Sequence, residues 1–249
     1  MKIMTHVVIG YPSLEETEKI VRTMVKSGVD MIELQIPFSD PLADGPTIMN
    51  ACEKSLQRGT KIKDAFLLMK KLSLEIKIPL IFMAYYNTVF KYGTKKFCRD
   101  AKVAGAYGLI IPDMNIDEEN QEHFYVSCKK YNLNNIQVVS PASTDERLRK
   151  NAKVESGFVY FTAHQGITGV KDKLSPNLIS NLRRVRKNFS VPIAVGFGIS
   201  KRKHLEAIAP YADIAVIGSA IINEINKSST ENIEQNVRNF IKNILFHNN

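Results

Sequence analysis

Eight short runs of apolar and β-branched residues, each followed by an amphipathic stretch, predict an α/β protein built as a single (β/α)8 TIM barrel over residues 1–249. The runs are apolar on both faces, as strands of a parallel sheet covered by helices must be. The length of 249 residues suits one such barrel, and no linker, low-complexity tract or charge block divides the chain. The other way to arrange repeated βα units, an open doubly wound sheet, would carry a GxGxxG turn after its first strand, where this chain has Gly10-Tyr11-Pro12.

The first strand is read over Thr5–Ile9. Ser13 then stands as an N-cap with Glu16 three residues on, and Ile20, Met24 and Val25 follow at helical spacing. Met31–Ile36 is the second strand, followed by a proline-rich loop and helices over Ile48–Leu56 and Ile62–Leu74. Pro79–Tyr85 is the third, with a helix over Thr94–Ala104, and Gly108–Ile111 is the fourth. Asp117 can cap one long helix over Glu118–Tyr131. Ile136–Val139 and Phe158–Thr162 are the fifth and sixth strands, with helices over Thr144–Ala152 and Ser175–Lys187. Pro192–Val195 and Asp213–Ile217 complete the set, with helices over Lys201–Ile208, Ala220–Ile225 and Ile233–Phe246.

Composition narrows the function. Cys52, Cys98 and Cys128 form no CxxC and have no histidine partners, which argues against a disulfide framework and a zinc site and fits the cytoplasm. No apolar run is long enough to span a bilayer, and Met1–His6 lacks the features of an export signal. The formal charge of +9 raises nucleic acid as a partner, yet most lysines are dispersed over helices. The one compact cluster, Arg183, Arg184, Arg186 and Lys187, lies late in a helix, where cations complement the dipole. A basic surface also attracts an anionic metabolite, so a small-molecule substrate is expected, with no nucleic acid and no membrane.

The stretch Met31–Pro46 carries the chemistry. Glu33 interrupts an apolar strand, and a buried carboxyl resists ionisation, which suits a group that must give and take a proton. Strand alternation puts Glu33 and Gln35 on one face, and since Leu34 and Ile36 suit the helix-facing side, Glu33 points into the barrel. The loop stiffened by Pro37, Pro41 and Pro46 carries a second carboxylate, Asp44, so the two acids can divide their roles. A core-edge glutamate and a turn aspartate would show the same spacing.

Glycines gather after the last three strands, in Gly166-Ile167-Thr168-Gly169, Gly196-Phe197-Gly198 and Gly218-Ser219. Such loops, with a helix N-terminus after the eighth strand and Ser219 as a hydroxyl donor, suit a phosphate. Tyr85, Tyr160 and Phe197 near strand ends suggest a flat apolar ligand. His6 and His123 read as packing or surface residues, His204 and His247 as residues of exposed helices, and His164 as a loop residue that could touch ligand.

Taken together, Glu33-Leu34, Ile36–Pro46, Tyr85-Tyr86-Asn87, Gly157-Phe158-Val159-Tyr160, Gly166–Gly169, Gly196–Ser200 and Gly218-Ser219-Ala220 resemble the signature of the tryptophan synthase alpha chain, in order and over nearly the whole sequence. The resemblance implies a lyase that splits indole-3-glycerol phosphate into indole and glyceraldehyde 3-phosphate. It makes Glu33 the general acid/base, Asp44 the carboxylate facing the indole N–H and Tyr160 an active-site tyrosine. Gly169, Gly198, Gly218 and Ser219 would hold the phosphate through main-chain groups, Thr168 would contact substrate from the same loop as Gly169, and Tyr85 and Phe197 would line the indole pocket. It further implies a heterotetramer of two alpha and two beta chains. The beta chain would carry pyridoxal phosphate and receive indole through an internal channel, Asp40 would face that partner, and this chain would need no cofactor or metal.

Three positions depart from the family pattern. Gln35 stands where glycine is usual, and its side chain would narrow the pocket or hydrogen-bond Glu33. Met114-Asn115 replaces Leu-Pro in a partner-facing loop, and the sequence begins almost at the first strand, where a short helix commonly precedes it. Two further readings stay open: a binding subunit that mainly activates the beta chain, and a free-standing lyase that releases indole.

Overall fold

The computed structural model describes residues 1–162, 176–196 and 198–246. In chain order the elements are β1 (Lys2–Val8), α1 (Leu14–Lys26), β2 (Met31–Gln35), α2 (Pro46–Gln57), α3 (Ile62–Glu75), β3 (Leu80–Met83), α4 (Tyr86–Tyr92), α5 (Thr94–Val103) and β4 (Gly108–Ile110). A 3-10 turn (Ile116–Glu118), α6 (Glu119–Glu122), α7 (Phe124–Lys130), β5 (Asn134–Val139), α8 (Asp145–Ala152) and β6 (Val159–Thr162) follow. The rest are α9 (Pro176–Asn188), β7 (Ile193–Gly196), α10 (Arg202–Ile208), β8 (Ile214–Ile217), α11 (Ser219–Lys227), a 3-10 turn (Thr230–Asn232) and α12 (Ile233–Leu245). The strands close into a parallel barrel in sequence order, β1 pairing with both β2 and β8, as the βα repeat predicts.

Strand alternation sorts the core into two regions. Outward-facing Leu34, Phe82, Leu109, Phe161 and Val195 pack beneath the helices, as do Ile20, Met69 and Phe97 from the helical side. Inward-facing Met4, Met31, Ile81, Ile110, Ile136, Phe158 and Ile214 fill the barrel with a separate apolar plug. A cavity of about 440 Å³ lined by Met1, Lys2, Met31, Tyr107 and Phe158 lies at the amino end of the strands. The plug separates that end from the carboxyl-end mouth, which holds the polar side chains.

Ser13 caps α1 where the sequence places it, accepting from the Glu16 amide at 3.1 Å, and Thr144, read as the first residue of its helix, instead caps it, accepting from the Arg147 amide at 3.2 Å. The helix expected over Glu118–Tyr131 is instead broken. Asn115 rather than Asp117 caps its start, accepting from the Asp117 amide at 2.9 Å, while Asp117 pairs with Arg147 and Lys150 of α8. His123 then adopts a left-handed φ of 53°, and Glu119 folds back to accept from the Tyr125 and Val126 amides, both at 2.8 Å. Those bonds cap a new helix and reward the break. The short helix α4, soon after β3, precedes the helix expected over Thr94–Ala104 and was not anticipated.

The basic cluster on α9 makes structural contacts. Arg184 donates to the carbonyls of Ser143 and Pro141, Arg186 pairs with Asp213 at 2.5 Å, and Arg183 lies over the Tyr211 ring. Cys98 and Cys128 are buried free thiols with sulfurs 3.9 Å apart. Among the described residues no helix is long and apolar enough to cross a membrane, and no group of three or more His, Cys, Asp or Glu could hold a metal ion.

Candidate active site

Glu33 is the central residue of β2 and lies inside the barrel, 3% exposed. The register pairs it with His6 of β1, and the side chains meet with Nδ1 3.3 Å from Glu33 Oε1. His6, 5% exposed, had read as a packing or surface residue; it is interior and partnered. The test that singled out Glu33, a polar group within an apolar strand, also picks out His6 between Thr5 and Val7. Burial alone would lower the His6 pKa, but the Glu33 charge and a hydrogen bond to it, with Asp44 further off, raise it above its ordinary 6.5.

Gln35, 0% exposed, follows Glu33 on the same face. It hydrogen-bonds Asp44 rather than Glu33: Nε2 donates to Asp44 Oδ2 at 2.7 Å. Tyr85, after β3, donates its hydroxyl to the same Oδ2 at 2.8 Å and accepts from the Ala43 amide at 3.0 Å. Its ring stacks on Phe38 with centroids 5.3 Å apart. The loop after β2 is therefore tied at Phe38, Ala43 and Asp44 to one tyrosine. Both donors hold the same carboxylate oxygen, leaving Oδ1 for another partner. Burial raises the Asp44 pKa, partly offset by the His6 charge and the bonds from Gln35 and Tyr85. Burial, with Asp44 beside it, also pushes the Tyr85 hydroxyl pKa well up, so this tyrosine acts as a donor rather than an acid.

Tyr160 of β6 belongs to the interior set, and burial followed by the Glu33 and Asp44 charges raises its pKa well above 10. Gly196 gives it room: a Cβ there would sit 2.8 Å from Tyr160 Oη. Gly198, at φ +82°, needs the freedom of glycine, whereas a Cβ would meet nothing within 4 Å. Gly218 precedes α11, which begins at Ser219, and a Cβ on Gly218 would lie 3.6 Å from His6 Cβ. The eighth-strand glycine, the imidazole and the acid thus follow one another around the β8–β1–β2 arc.

The geometry brings Glu33, Asp44, Tyr85 and Tyr160 to one mouth, with Gly218 beside them. Asp40 stands apart, exposed on the loop after β2 and accepting from Ser39 Oγ at 2.5 Å. Thr168, Gly169, Phe197, His164 and His247 lie outside the described residues. His204 is buried rather than on an exposed helix face, and its Nδ1 accepts from the Ser200 amide at 3.3 Å. Three buried atoms at the centre, His6 Nε2, Glu33 Oε2 and Gln35 Oε1, have no hydrogen-bond partner among the described residues. Buried polar atoms are usually satisfied, so these three mark the mouth as the candidate site.

The family model for the tryptophan synthase alpha chain matches residues 1–248. A tryptophan synthase alpha chain of Desulfotalea psychrophila is 42% identical over 226 residues, 91% of this chain and 88% of that one. One from Methanocaldococcus jannaschii is 42% identical over 224 residues, 90% of this chain and 79% of that one. Among solved structures, a tryptophan synthase complex from Pyrococcus furiosus superposes with a TM-score of 0.89 at 26% identity, covering 98% of this chain and 97% of that one. Tryptophan synthase from M. tuberculosis gives 0.86 at 30% identity, covering 98% and 91%. By fold, sequence and span, the chain belongs to the tryptophan synthase alpha chain family.

Proposed function

We propose that the chain, one (β/α)8 unit, cleaves indole-3-glycerol phosphate into indole and glyceraldehyde 3-phosphate as a carbon–carbon lyase, with Glu33 carrying the proton and Asp44 steadying the ring nitrogen. The reaction needs a proton on indole C3, then loss of the C3′ hydroxyl proton as the aldehyde forms. One carboxyl can do both in turn. Positive character spreads to the ring N–H when C3 is protonated, and a fixed carboxylate stabilises it. The observation that carries this reading is Asp44 Oδ2 held by both Gln35 and Tyr85, 2.7 and 2.8 Å away, which pre-orients the carboxylate. Main-chain groups of Gly198, Gly218 and Ser219 are the phosphate donors in this reading, with Gly169 and Thr168 completing the cradle. Tyr160, Tyr85 and Phe197 bound the indole.

The partner is a tryptophan synthase beta chain, in a heterotetramer of two alpha and two beta chains, and that chain carries the pyridoxal phosphate. Exposed apolar side chains on the carboxyl-end face, Leu42 at 90% and Phe90, support a docking surface there, next to Asp40. The setting is cytoplasmic. Gln35 motivates a second reading, a subunit that chiefly activates the beta chain. Its bond to Asp44 rather than Glu33 favours the lyase, because it organises the site instead of capping the acid.

Indole release by the purified chain, with and without its cognate beta chain, is the test. Release that rises on adding beta chain supports the assignment. Stimulation of the beta chain with no indole formed would establish the activator reading, and rapid release alone with no association would establish a free-standing lyase.

A further inference from the structure

We propose that His6 is the proton store for Glu33, holding between catalytic steps the one proton that Glu33 delivers to indole C3 and recovers from the C3′ hydroxyl. The inference rests on the lyase reading and adds to it a residue that acts through Glu33, a positioning residue rather than a catalytic one. Its basis is geometric. The two residues are 5% and 3% exposed, and Nδ1 and Oε1 approach to 3.3 Å. Among the described residues, the charged groups facing His6 are Glu33 and Asp44, both from β2 and its loop; Gly218 on the β8 side brings only backbone, and Gln35 is neutral. The apolar plug closes the barrel below. A proton on this pair thus has few other places to go.

The cycle balances on that single proton. At rest it lies on Nδ1, with imidazolium beside carboxylate. Its transfer to Oε1 leaves neutral imidazole and a carboxylic acid, and the acid protonates C3. The C3–C3′ bond then breaks, its electron pair returning to the ring, while the C3′ hydroxyl becomes the aldehyde carbonyl and gives its proton to Glu33. That proton passes back to Nδ1, so the pair ends as it began and water supplies nothing. An isolated carboxylic acid gives up its proton near about pH 4, and a neighbouring imidazole keeps one within reach at neutral pH.

Two measurements test this. The first is the pH profile of kcat/KM for indole release by the wild type, His6→Asn, whose amide can still donate to Glu33 but cannot titrate, and His6→Phe, which keeps a ring. Both variants should lose the alkaline part of the profile, so that their rates fall about tenfold or more at about pH 8 for each unit of displacement and much less at about pH 6. The second is the His6 imidazole titration by NMR, which should lie above 6.5 in the wild type and move down in Glu33→Gln, where only the more distant Asp44 charge and Gln35 still oppose burial. An alkaline limb in His6→Asn that superimposes on the wild type, or a titration that Glu33→Gln does not move, overturns the inference while leaving the lyase reading intact. If the wild type makes no indole even with beta chain, the lyase reading itself fails, and a coupled titration would then report only a structural ion pair.

Discussion

Replacing Tyr85 by phenylalanine removes one oxygen and leaves the ring stacked on Phe38. That oxygen makes two bonds, donating to Asp44 Oδ2 at 2.8 Å and accepting from the Ala43 amide at 3.0 Å. Ala43 is exposed, so water can replace the second bond at little cost. The first is a bond to a charged acceptor, worth about 1.5–3 kcal/mol, and the lower part of that range applies because Asp44 is only half-buried and keeps its bond from Gln35. A loss of about 1.5–2 kcal/mol is the expectation, equivalent to about a ten- to thirtyfold change in rate. It should appear mainly in kcat, because in the proposed reaction the Asp44 carboxylate matters most once the indole ring gains positive character. The variant should also unfold at lower urea by a comparable free energy, since the same bond ties down the loop after β2. Lacking one bond that favours its charged form, Asp44 should titrate higher still, moving the acid limb of the rate profile upward. Indole release across pH, with urea titration on the same preparations, measures all three. Activity within about twofold of wild type and stability within about 0.5 kcal/mol would refute the idea that Tyr85 holds Asp44 in place.

Two further outcomes follow from the same geometry. Gly196→Ala would put a Cβ 2.8 Å from Tyr160 Oη and 3.2 Å from Cε2, forcing the ring aside; it should cost about 1–3 kcal/mol in urea stability and raise KM for the substrate, and unchanged stability and KM would show that the ring is not confined there. Stability should fall as pH rises past neutrality: His6 has a folded-state pKa above 6.5, so its contribution is fully present below that value and is lost as pH passes through the folded one. Urea titrations should show the difference between wild type and His6→Asn shrinking over that window, whereas a constant difference would mean that His6 titrates alike in the folded and unfolded chain.

The barrel was legible because its strands are apolar on both faces and its helices on one. Glu33 was legible for the opposite reason, as a polar residue where the pattern demands an apolar one. His6 broke the same rule yet its pairing with Glu33 stayed hidden, because that depends on the β1–β2 register, which no single strand encodes. Gln35 was recognised as unusual, but its partner turned out to be Asp44, nine residues away across a proline-rich loop whose fold depends on Tyr85 from another strand. The break between α6 and α7 escaped for a local reason: periodicity supports one helix, while Glu119 gains two backbone amides by ending it. The short helix α4 was hidden because it begins at Tyr86, directly after Tyr85, which reads as the end of the third strand.

The central claim is that Glu33 moves the proton, and Glu33→Gln tests it most directly, because the amide keeps the shape of the side chain and removes its acidity. General acid–base catalysis contributes about 10²–10⁴-fold, and a group used twice in one turnover should fall at the upper end. The expected result is a fall in kcat for indole release of about 10³-fold or more, with substrate binding changed by no more than a few-fold. A variant that keeps about a tenth or more of wild-type kcat would show that another group carries the proton.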